Sequence, residues 1–402
     1  MHHWSIDSVS HIVVSKTSEL KTLLKHLEDS PWVALDTEFI SERKYQPQLC
    51  LIQIAAEGFL AIIDPLGMDS VDAFWEFLAF HHHETIVHAY RSEIDFCYRY
   101  TGTVPRNVFD VQIAAGFVGL DYPCSFGGIL EKMLHVDLPK GETRTIWSRR
   151  PLSERQVEYA LNDVRYLSSL AQKLQKKLQA AGRVGWYQDE IHSCLTHLTE
   201  EWQGKKWLSL PGISNLTPRE AAVARELWYW RDHRAACSDV PAAYILRDDL
   251  IIELAKRKTA SPDRIGAVRG MQRSDINRWM PDISAAIAHG LDLPETELPE
   301  IQEKIKLSQY NPMIQLIHSG LSILCRDRQI APGVVATPQD IRDLMTCQLA
   351  GSTNGDTPPR LLTGWRSEVV GDFLENFLEG KIAIRFDKTN PKTPLQFVDY
   401  HF

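Results

Sequence analysis

Three short runs of β-forming residues lie close together near the start of the chain. They occupy residues 32–35, 49–54 and 59–63, with Pro47 before the second run and Gly58 before the third. Short apolar runs separated by turn-forming residues are typical of neighbouring antiparallel strands. We therefore predict an antiparallel meander at the beginning of a mixed sheet.

Helix-like and strand-like segments alternate after this meander. Helical patterns occupy residues 71–80, 92–100 and about 153–180, and strand patterns occupy 86–88 and 108–109. Alternation of this kind indicates an α/β sandwich, in which helices cover a sheet. Residues 1–185 are therefore predicted to form one α/β domain.

The remaining chain has helical patterns only. A length of 402 residues exceeds one ordinary core, so two or three domains are expected. Thr217, Pro218 and Glu220 have the spacing of a helix start, with a capping residue, a proline at the first position and an acid at the third. The predicted boundaries are helical domains at 210–293 and 300–385, and a C-terminal tail at 386–402.

Charge and cysteine usage exclude several classes of protein. The net charge of −8 argues against a protein that coats nucleic acid through bulk positive charge, but it is compatible with an acidic site that binds cations. The seven cysteines are scattered without a C-x-x-C pair, which predicts reduced thiols and no zinc knuckle. We find no signal-peptide pattern and no 18-residue apolar run, and therefore expect a cytoplasmic protein without a membrane partner.

Two carboxylates follow the first predicted strand of the meander. Asp36 and Glu38 are two residues apart, so on a strand they point to the same face. Adjacent carboxylates repel unless a positive charge lies between them. A divalent cation fits this position, and oxygen ligands favour Mg²⁺ or Mn²⁺. A solvated strand end is the alternative for an isolated pair.

Further polar residues occur where they can join this pair. Tyr159 and Asp163 are four residues apart on a predicted helix and share one face, where a tyrosine can orient a water and an acid can bind a metal. Glu93 lies in the first turn of a helix after one strand, and Asp110 follows the next strand. Acids at the ends of successive strands can converge on one edge of a sheet. The joint pattern predicts a metal-dependent hydrolytic site.

The same residues carry a family resemblance. Residues 35–39, extended by 45–53, and residues 155–167 resemble the first and third motifs of ribonuclease D, in the tyrosine-bearing branch of the DEDD 3′→5′ exonucleases. The similarity continues through 140–152 and covers the first domain. The resemblance implies a ribonuclease H-like 3′–5′ exonuclease domain with a mixed sheet, followed by all-α bundles.

The resemblance also implies a reaction. It is the attack of water on the terminal phosphodiester of single-stranded RNA, with two divalent ions (Mg²⁺ or Mn²⁺) as cofactors and nucleoside 5′-monophosphates as products. Asp36 would bridge the ions, Glu38 and Asp163 would complete the first ion's shell, Glu93 would support the second, and Tyr159 would position the water. A DNA exonuclease and an inactive RNA-binding relative remain alternatives.

The second motif departs from the family pattern. Alignment through His88 places Glu93 where the family usually has Asp, and Asp95 is reachable only by shifting the helix register. If the helix begins near Arg91, Glu93 shares a face with apolar residues, whereas Asp95 lies four residues from Arg91 and from Arg99. This pattern predicts Glu93 as the acid of the site.

A basic segment before the third motif is predicted to bind substrate. Lys140, Arg144 and Arg150 surround Trp147, and basic residues around an aromatic suit phosphate contacts with base stacking. A solvated loop with Trp147 in the core is the alternative. Gln53, at the end of the extended first motif, is also assigned to substrate binding.

Both helical regions have counterparts in the same family. Residues 227–232, 239–246 and 250–255 resemble the HRDC domain, a small helical bundle. Residues 361–371 are similar to the ribonuclease D C-terminus, and we interpret this region as a second, more diverged HRDC-like bundle. The expected partners are single-stranded RNA 3′ ends, with tRNA precursors suggested by the family, and no obligate protein partner.

Overall fold

The computed structural model describes residues 11–139, 145–202, 206–300, 307–350, 358–389 and 395–400. The chain divides into two compact units. The first comprises Met1–Glu38, Leu51–Leu195 and Ile305–Phe402, and the second comprises Phe39–Cys50 and Thr196–Lys304.

A six-stranded mixed sheet lies at the centre of the first unit. Its strands are β1 (His11–Val14), β2 (Trp32–Ile40), β3 (Gln48–Ala56), β4 (Phe59–Ile63), β5 (Glu84–Val87) and β6 (Val108–Asp110). Their order is β1-β4-β3-β2-β5-β6. β3 and β4 are antiparallel, whereas β1/β4, β2/β5 and β5/β6 are parallel pairs. The predicted mixed sheet is confirmed, and β1 is an additional strand that the sequence pattern did not reveal.

Eight α-helices of the described residues lie between these strands in the sequence or follow the last of them. They are α1 (Thr17–Leu27), α2 (Asp72–Phe80), α3 (Arg91–Thr101), α4 (Val111–Phe117), α5 (Phe126–Leu134), α6 (Glu154–Arg165), α7 (Leu167–Ala180) and α8 (Val184–Glu200). The prediction of one long helix over 153–180 is wrong, because the helix is interrupted at Tyr166, where φ is −101° and ψ is −7°. Buried residues continue on both sides of the break, so periodicity alone did not locate it.

The core of this unit lies between the sheet and its helices. Every position of β3 after Gln48 is buried, so both faces of the sheet are covered at this strand. Phe74, Trp75 and Phe117 have no exposed surface and supply the largest apolar side chains. β1 lies at the sheet edge, where Ile12 and Val13 are exposed.

The helices of the second unit form an all-α bundle. They are α9 (Pro218–Ser238), α10 (Ala242–Ile245), α11 (Asp248–Arg257), α12 (Pro262–Gly266) and α13 (Ser274–Asp292). α9 begins as predicted, since Thr217 and Glu220 form a capping box. Leu227, Ile251 and Ile283 are fully buried in a core of their own.

The third helical region belongs to the first unit. Its elements are α14 (Asn311–Asp327), α15 (Pro332–Val335), α16 (Pro338–Ala350), α17 (Gly364–Arg366) and α18 (Asp372–Leu378), followed by a hairpin of β7 (Ile382–Phe386) and β8 (Leu395–Asp399). The hairpin extends into residues that the sequence analysis assigned to a tail. No helix in the described part of the chain is long and apolar enough to cross a membrane.

A buried ionic network attaches this third region to α8. Glu190 is 6% exposed and pairs with Arg360 and Arg366, each at 2.7 Å. The indole of Trp365 donates to the same carboxylate at 3.3 Å. Removing one member of such a buried network leaves a charge without its partner. The region is therefore an integral part of the first unit.

Candidate active site

Strand β2 presents the first two acids to one face of the sheet. Leu35 and Thr37 are buried, at 0% and 6% exposure, while Asp36 and Glu38 are partly exposed. This is the alternation that strand geometry requires, so the two carboxylates share a face.

Helix α3 brings Glu93 to the same place. The helix begins at Arg91, and Glu93 in its first turn is 3% exposed among the buried residues Phe96 and Cys97. The hydroxyl of Thr37 donates to Glu93 Oε1 at 2.9 Å. Asp95 lies on another face of the helix and pairs with Arg99 at 2.5 Å. The predicted helix start is confirmed.

Asp110 has a different place from the one that the sequence pattern indicated. Its carboxylate is fully buried and caps α4 by accepting from the backbone N–H groups of Gln112 and Ile113. It also accepts from the backbone N–H groups of Ala89 and Tyr90, in the turn that leads from β5 into α3. Ala89 has a φ of +62°, a conformation that is unfavourable for a residue with a Cβ. Asp110 therefore stabilises the turn that precedes α3 and so helps to position Glu93 in its first turn.

Helix α6 supplies the last two residues. Ser153 and Gln156 form a capping box that fixes where the helix begins. Tyr159 and Asp163, one turn further along, are joined by a side-chain hydrogen bond. The ring of Trp147 lies 6.0 Å from that of Tyr159 at a tilted angle and supports it from the protein interior.

These elements enclose one cavity of about 280 Å³. Its lining residues are Leu35, Asp36, Thr37, Glu38, His88, Phe126, Tyr159, Asp163 and Leu167. Glu93 lies behind this lining and reaches it through Thr37. The structure thus brings the predicted acids and the tyrosine together from β2, α3 and α6.

The carboxylates of this cluster hold protons more tightly than ordinary acids. Burial raises the pKa of Asp36 to about 7. Burial, with repulsion from Asp36, raises the pKa of Glu38 and of Asp163 to about 8 each. The pKa of Glu93 is raised as well, by burial first and then by Asp36. Positive charge placed among these groups would therefore be stabilised.

The donor set fits divalent metal ions. Four carboxylates from three elements provide hard oxygen ligands, and burial raises the pKa of each. Among the described residues, no three acid, histidine or cysteine side chains already form a closed metal-binding cluster.

Two residues predicted to bind substrate have structural contacts instead. Trp147 is 4% exposed, so the alternative that places it in the core is correct. The Arg150 guanidinium forms a two-pronged ion pair with Asp64, with Nε–Oδ2 at 2.5 Å and Nη2–Oδ1 at 2.7 Å. Its Nη1 donates to the carbonyl oxygen of Trp147. These contacts hold Arg150 against the protein, and we replace the predicted substrate contact by a structural role.

Of the other three predicted substrate contacts, only Gln53 lies within the described residues. Gln53 is fully buried in β3 and pairs in register with Ile62 of β4, so it has no surface to offer a substrate. Its assignment is corrected to a core position. Lys140 and Arg144 lie outside the described residues.

Three residues around the site were not assigned from the sequence, and a fourth, Asp110, has a different role from the one that the sequence pattern indicated. Thr37 anchors Glu93, Asp110 holds the turn before α3, and His88 and Phe126 line the cavity. His88 follows directly after β5, the position where parallel strands usually contribute site residues. That position is the one sequence signal that could have identified it.

Comparison with known families agrees with this geometry. Residues 11–179 match the 3′–5′ exonuclease family model, and residues 220–287 match the HRDC domain model. The mixed sheet, the acidic cavity and the first match define the class: the chain is a 3′–5′ exonuclease.

Full-length relatives define the family more closely. The chain is 30% identical to ribonuclease D of Bartonella henselae, across 92% of this chain and 91% of the relative. It is also 30% identical to ribonuclease D of Desulfotalea psychrophila, across 90% and 97%. The crystal structure of Escherichia coli RNase D, described as an exoribonuclease involved in structured RNA processing, superimposes with a TM-score of 0.78 at 27% identity, covering 92% and 99%. The chain belongs to the ribonuclease D family and is a hydrolytic 3′–5′ exoribonuclease.

Proposed function

We propose that this enzyme removes nucleotides one at a time from single-stranded RNA 3′ ends by two-metal-ion hydrolysis and releases nucleoside 5′-monophosphates. The observation that carries the proposal is the convergence of Asp36, Glu38 and Asp163, backed by Glu93, on one cavity in which their pKa values are raised. When bound, two Mg²⁺ or Mn²⁺ ions would activate the attacking water and stabilise negative charge on the attacking and leaving oxygens.

The protein's own residues would bind the ions and orient the attacking water. Asp36, Glu38, Glu93 and Asp163 would hold the ions. The Tyr159 hydroxyl, fixed by its hydrogen bond to Asp163, would orient the attacking water in line with the scissile bond. Burial and the nearby carboxylates raise the pKa of Tyr159, so the phenol keeps its proton and acts as a hydrogen-bond donor.

The proposed natural substrates are structured RNAs with a single-stranded 3′ extension, such as tRNA precursors. The relative from Escherichia coli is described as acting in structured RNA processing. The acids and Tyr159 line a cavity of about 280 Å³, and we propose that the terminal nucleotide of the 3′ extension enters it. Residues 220–287 match the HRDC domain model, and we propose that this domain binds the body of such an RNA.

Digestion of matched oligonucleotides tests the proposal. A hairpin with a single-stranded 3′ tail is prepared as RNA and as DNA and incubated with Mg²⁺, with Mn²⁺ or with a chelator. We expect metal-dependent release of 5′-monophosphates from RNA. Asp36→Ala should lose more than roughly nine-tenths of this activity. Glu57→Ala, which removes an exposed acid in the β3–β4 turn, is the matched control.

Two results would contradict the proposal. Activity that persists in the chelator or in Asp36→Ala would show that the acidic cavity is not the site of hydrolysis. Faster digestion of the DNA hairpin would identify a DNA exonuclease in place of the proposed RNA-processing enzyme.

A further inference from the structure

His88 is a polar side chain of the cavity that the proposed hydrolysis does not use. Among the described lining residues, Asp36, Glu38, Tyr159 and Asp163 have proposed roles in hydrolysis. Thr37 donates its hydroxyl to Glu93. The remaining lining residues other than His88 are apolar. His88 is therefore the described side chain that is left to hydrogen-bond the substrate.

The surroundings of His88 fix which ring nitrogen carries the proton. Nε2 lies 3.0 Å from the carbonyl oxygen of Cys124, and a carbonyl oxygen can only accept a hydrogen bond. The amide nitrogen of Gln112 donates to the same oxygen at 2.9 Å and lies 3.4 Å from His88 Nε2, a longer contact than the one between Nε2 and the carbonyl oxygen. In the neutral ring, Nε2 is then the protonated nitrogen and Nδ1 is an acceptor.

The ring is held in this neutral form. Burial lowers the pKa of His88 below the usual histidine value, although the Cys124 carbonyl and Asp110 act in the opposite direction. Nδ1 makes no hydrogen bond within the described part of the chain, and it is not among the fully buried polar atoms there that lack a partner. It is therefore an accessible acceptor on a residue that lines the cavity.

An aromatic neighbour completes this wall of the cavity. Phe126 is the first residue of α5, where Ser125 caps the helix, and its ring centre lies 5.5 Å from that of His88 at a tilted angle. A flat apolar ring beside an accessible acceptor suits a nucleoside, because the base or sugar can pack on the ring while a hydroxyl reaches the acceptor.

We propose that Nδ1 of His88 accepts a hydrogen bond from the 2′-hydroxyl of the terminal nucleotide and so makes the enzyme prefer ribose to deoxyribose. A neutral acceptor needs a donor on the substrate, and the 2′-hydroxyl is the donor that RNA has and DNA lacks. The inference rests on the proposed function in one respect, since it takes the acidic cavity to be the place where the 3′ end is cleaved.

Three RNA strands of one sequence test the inference. Their last nucleotide is a ribonucleotide, a 2′-deoxynucleotide or a 3′-deoxynucleotide, and kcat/KM for its release is measured with Mg²⁺. We expect the parent enzyme to cleave the 2′-deoxy end at least about tenfold less efficiently than the ribose end. In His88→Leu, the ribose end should lose about tenfold while the 2′-deoxy end changes by less than about twofold, so the preference disappears.

Two further variants separate hydrogen bonding from structure. His88→Asn places an amide oxygen near the Nδ1 position and should restore most of the preference. Gln112→Leu removes the other donor to the Cys124 carbonyl and the amide nitrogen 3.4 Å from His88 Nε2, without changing a lining residue. It should keep the preference of the parent enzyme, because the proposed contact is made by Nδ1. Each preference is a ratio of two rates measured on one protein preparation. Partial unfolding lowers both rates equally and leaves the ratio unchanged.

Several outcomes overturn the inference. Equal losses on the ribose and 2′-deoxy ends in His88→Leu would show a structural role. An effect of His88→Leu that vanishes on the 3′-deoxy end but persists on the 2′-deoxy end would assign the contact to the 3′-hydroxyl. Failure of the proposed function is seen separately, as cleavage of the ribose end that survives Asp36→Ala. Failure of the inference alone leaves Asp36→Ala inactive and the ribose preference unchanged in His88→Leu.

Discussion

The Thr37 hydroxyl donates a hydrogen bond of 2.9 Å to Glu93 Oε1 and so joins strand β2 to helix α3 directly behind the acidic cavity. Thr37 lies between Asp36 and Glu38, the two acids that β2 presents to the cavity. A residue of the first motif thereby fixes the carboxylate of the second motif. The family usually has Asp at position 93. The longer side chain of Glu93 is held in place by the hydroxyl of Thr37, a residue of the first motif.

The first prediction concerns which acid of α3 serves the reaction. Glu93→Gln should strongly reduce catalysis and weaken the dependence on metal. It removes a carboxylate beside the cluster, on a side chain that is only 3% exposed. Glu93→Asp should remain active, since it keeps the charge and restores the usual residue of the family. Rates measured across a Mg²⁺ titration check both expectations.

Asp95→Asn is the matched control on the same helix. Asp95 pairs with Arg99 on a partly exposed face, so its loss should cost less than about 1 kcal/mol of unfolding free energy and little activity. An inactive Asp95→Asn together with a fully active Glu93→Gln would reverse the assignment.

The sequence contained most of the information that locates these acids. The spacing of Asp36 and Glu38 on a strand, and of Tyr159 and Asp163 on a helix, depends only on local geometry, and the structure shows both pairs on shared faces. The apolar neighbours of Glu93 likewise predicted its buried face. Their roles in metal binding stay predictions.

The contacts that the sequence did not reveal are long-range ones. Arg150 lies 86 residues from Asp64, and nothing in the basic segment around it distinguishes a partner on the protein from a phosphate on the substrate. Gln53 belongs to a motif, but only the packing of the folded domain over the face of β3 encloses its side chain, which has no exposed surface. Local pattern thus predicted the elements, whereas tertiary packing decided which polar side chains were available.

The second prediction follows from the Arg150–Asp64 pair. Arg150→Met should lower the free energy of unfolding by about 1.5–3 kcal/mol, because it removes charge-assisted hydrogen bonds from a mostly buried carboxylate. At a temperature where the variant is folded, KM for RNA should stay within about twofold of the parent value. Chemical denaturation and steady-state kinetics provide the two measurements.

Arg149→Met is a suitable comparison, since Arg149 is its exposed neighbour in sequence. It should leave stability nearly unchanged. A large rise in KM for Arg150→Met at unchanged stability would restore the substrate contact that the sequence analysis predicted.

The third prediction concerns pH in the absence of metal. The folded-state pKa values of Asp36, Glu38 and Asp163 are about 7 to 8, whereas acids in the unfolded chain titrate near pH 4. Between about pH 4 and pH 8 the folded protein therefore holds protons that the unfolded chain has released. These groups make the free energy of unfolding fall as pH rises through that window, and their contribution levels off above it.

Asp163→Asn isolates this contribution. Its stability advantage over the parent, measured in a chelator by thermal unfolding, should grow from about pH 4 to about pH 8 and then become constant. Mg²⁺ should stabilise the parent more at high pH than at low pH, because the ion competes with protons for the same carboxylates. A stability difference that does not change with pH would show that Asp163 titrates like an ordinary acid.

The last prediction concerns the Tyr159 hydroxyl. Its ring is supported by Trp147, and its hydroxyl bonds to Asp163. Tyr159→Phe keeps the supported ring and removes only the group that would orient water. Turnover should therefore fall by roughly 10- to 1000-fold while RNA binding stays nearly unchanged.

Single-turnover cleavage and equilibrium RNA binding, measured on the same preparation, separate these two effects. Tyr187→Phe is the control, because Tyr187 is also a buried tyrosine with a bonded hydroxyl, which accepts from the Asp110 backbone at 2.7 Å, but it does not line the cavity. Parent-like turnover in Tyr159→Phe would assign the tyrosine to the core, as a packing partner of Trp147. The attacking water would then have to be oriented by the carboxylates alone, and the hydrogen bond between Tyr159 and Asp163 would serve only to hold Asp163 in place.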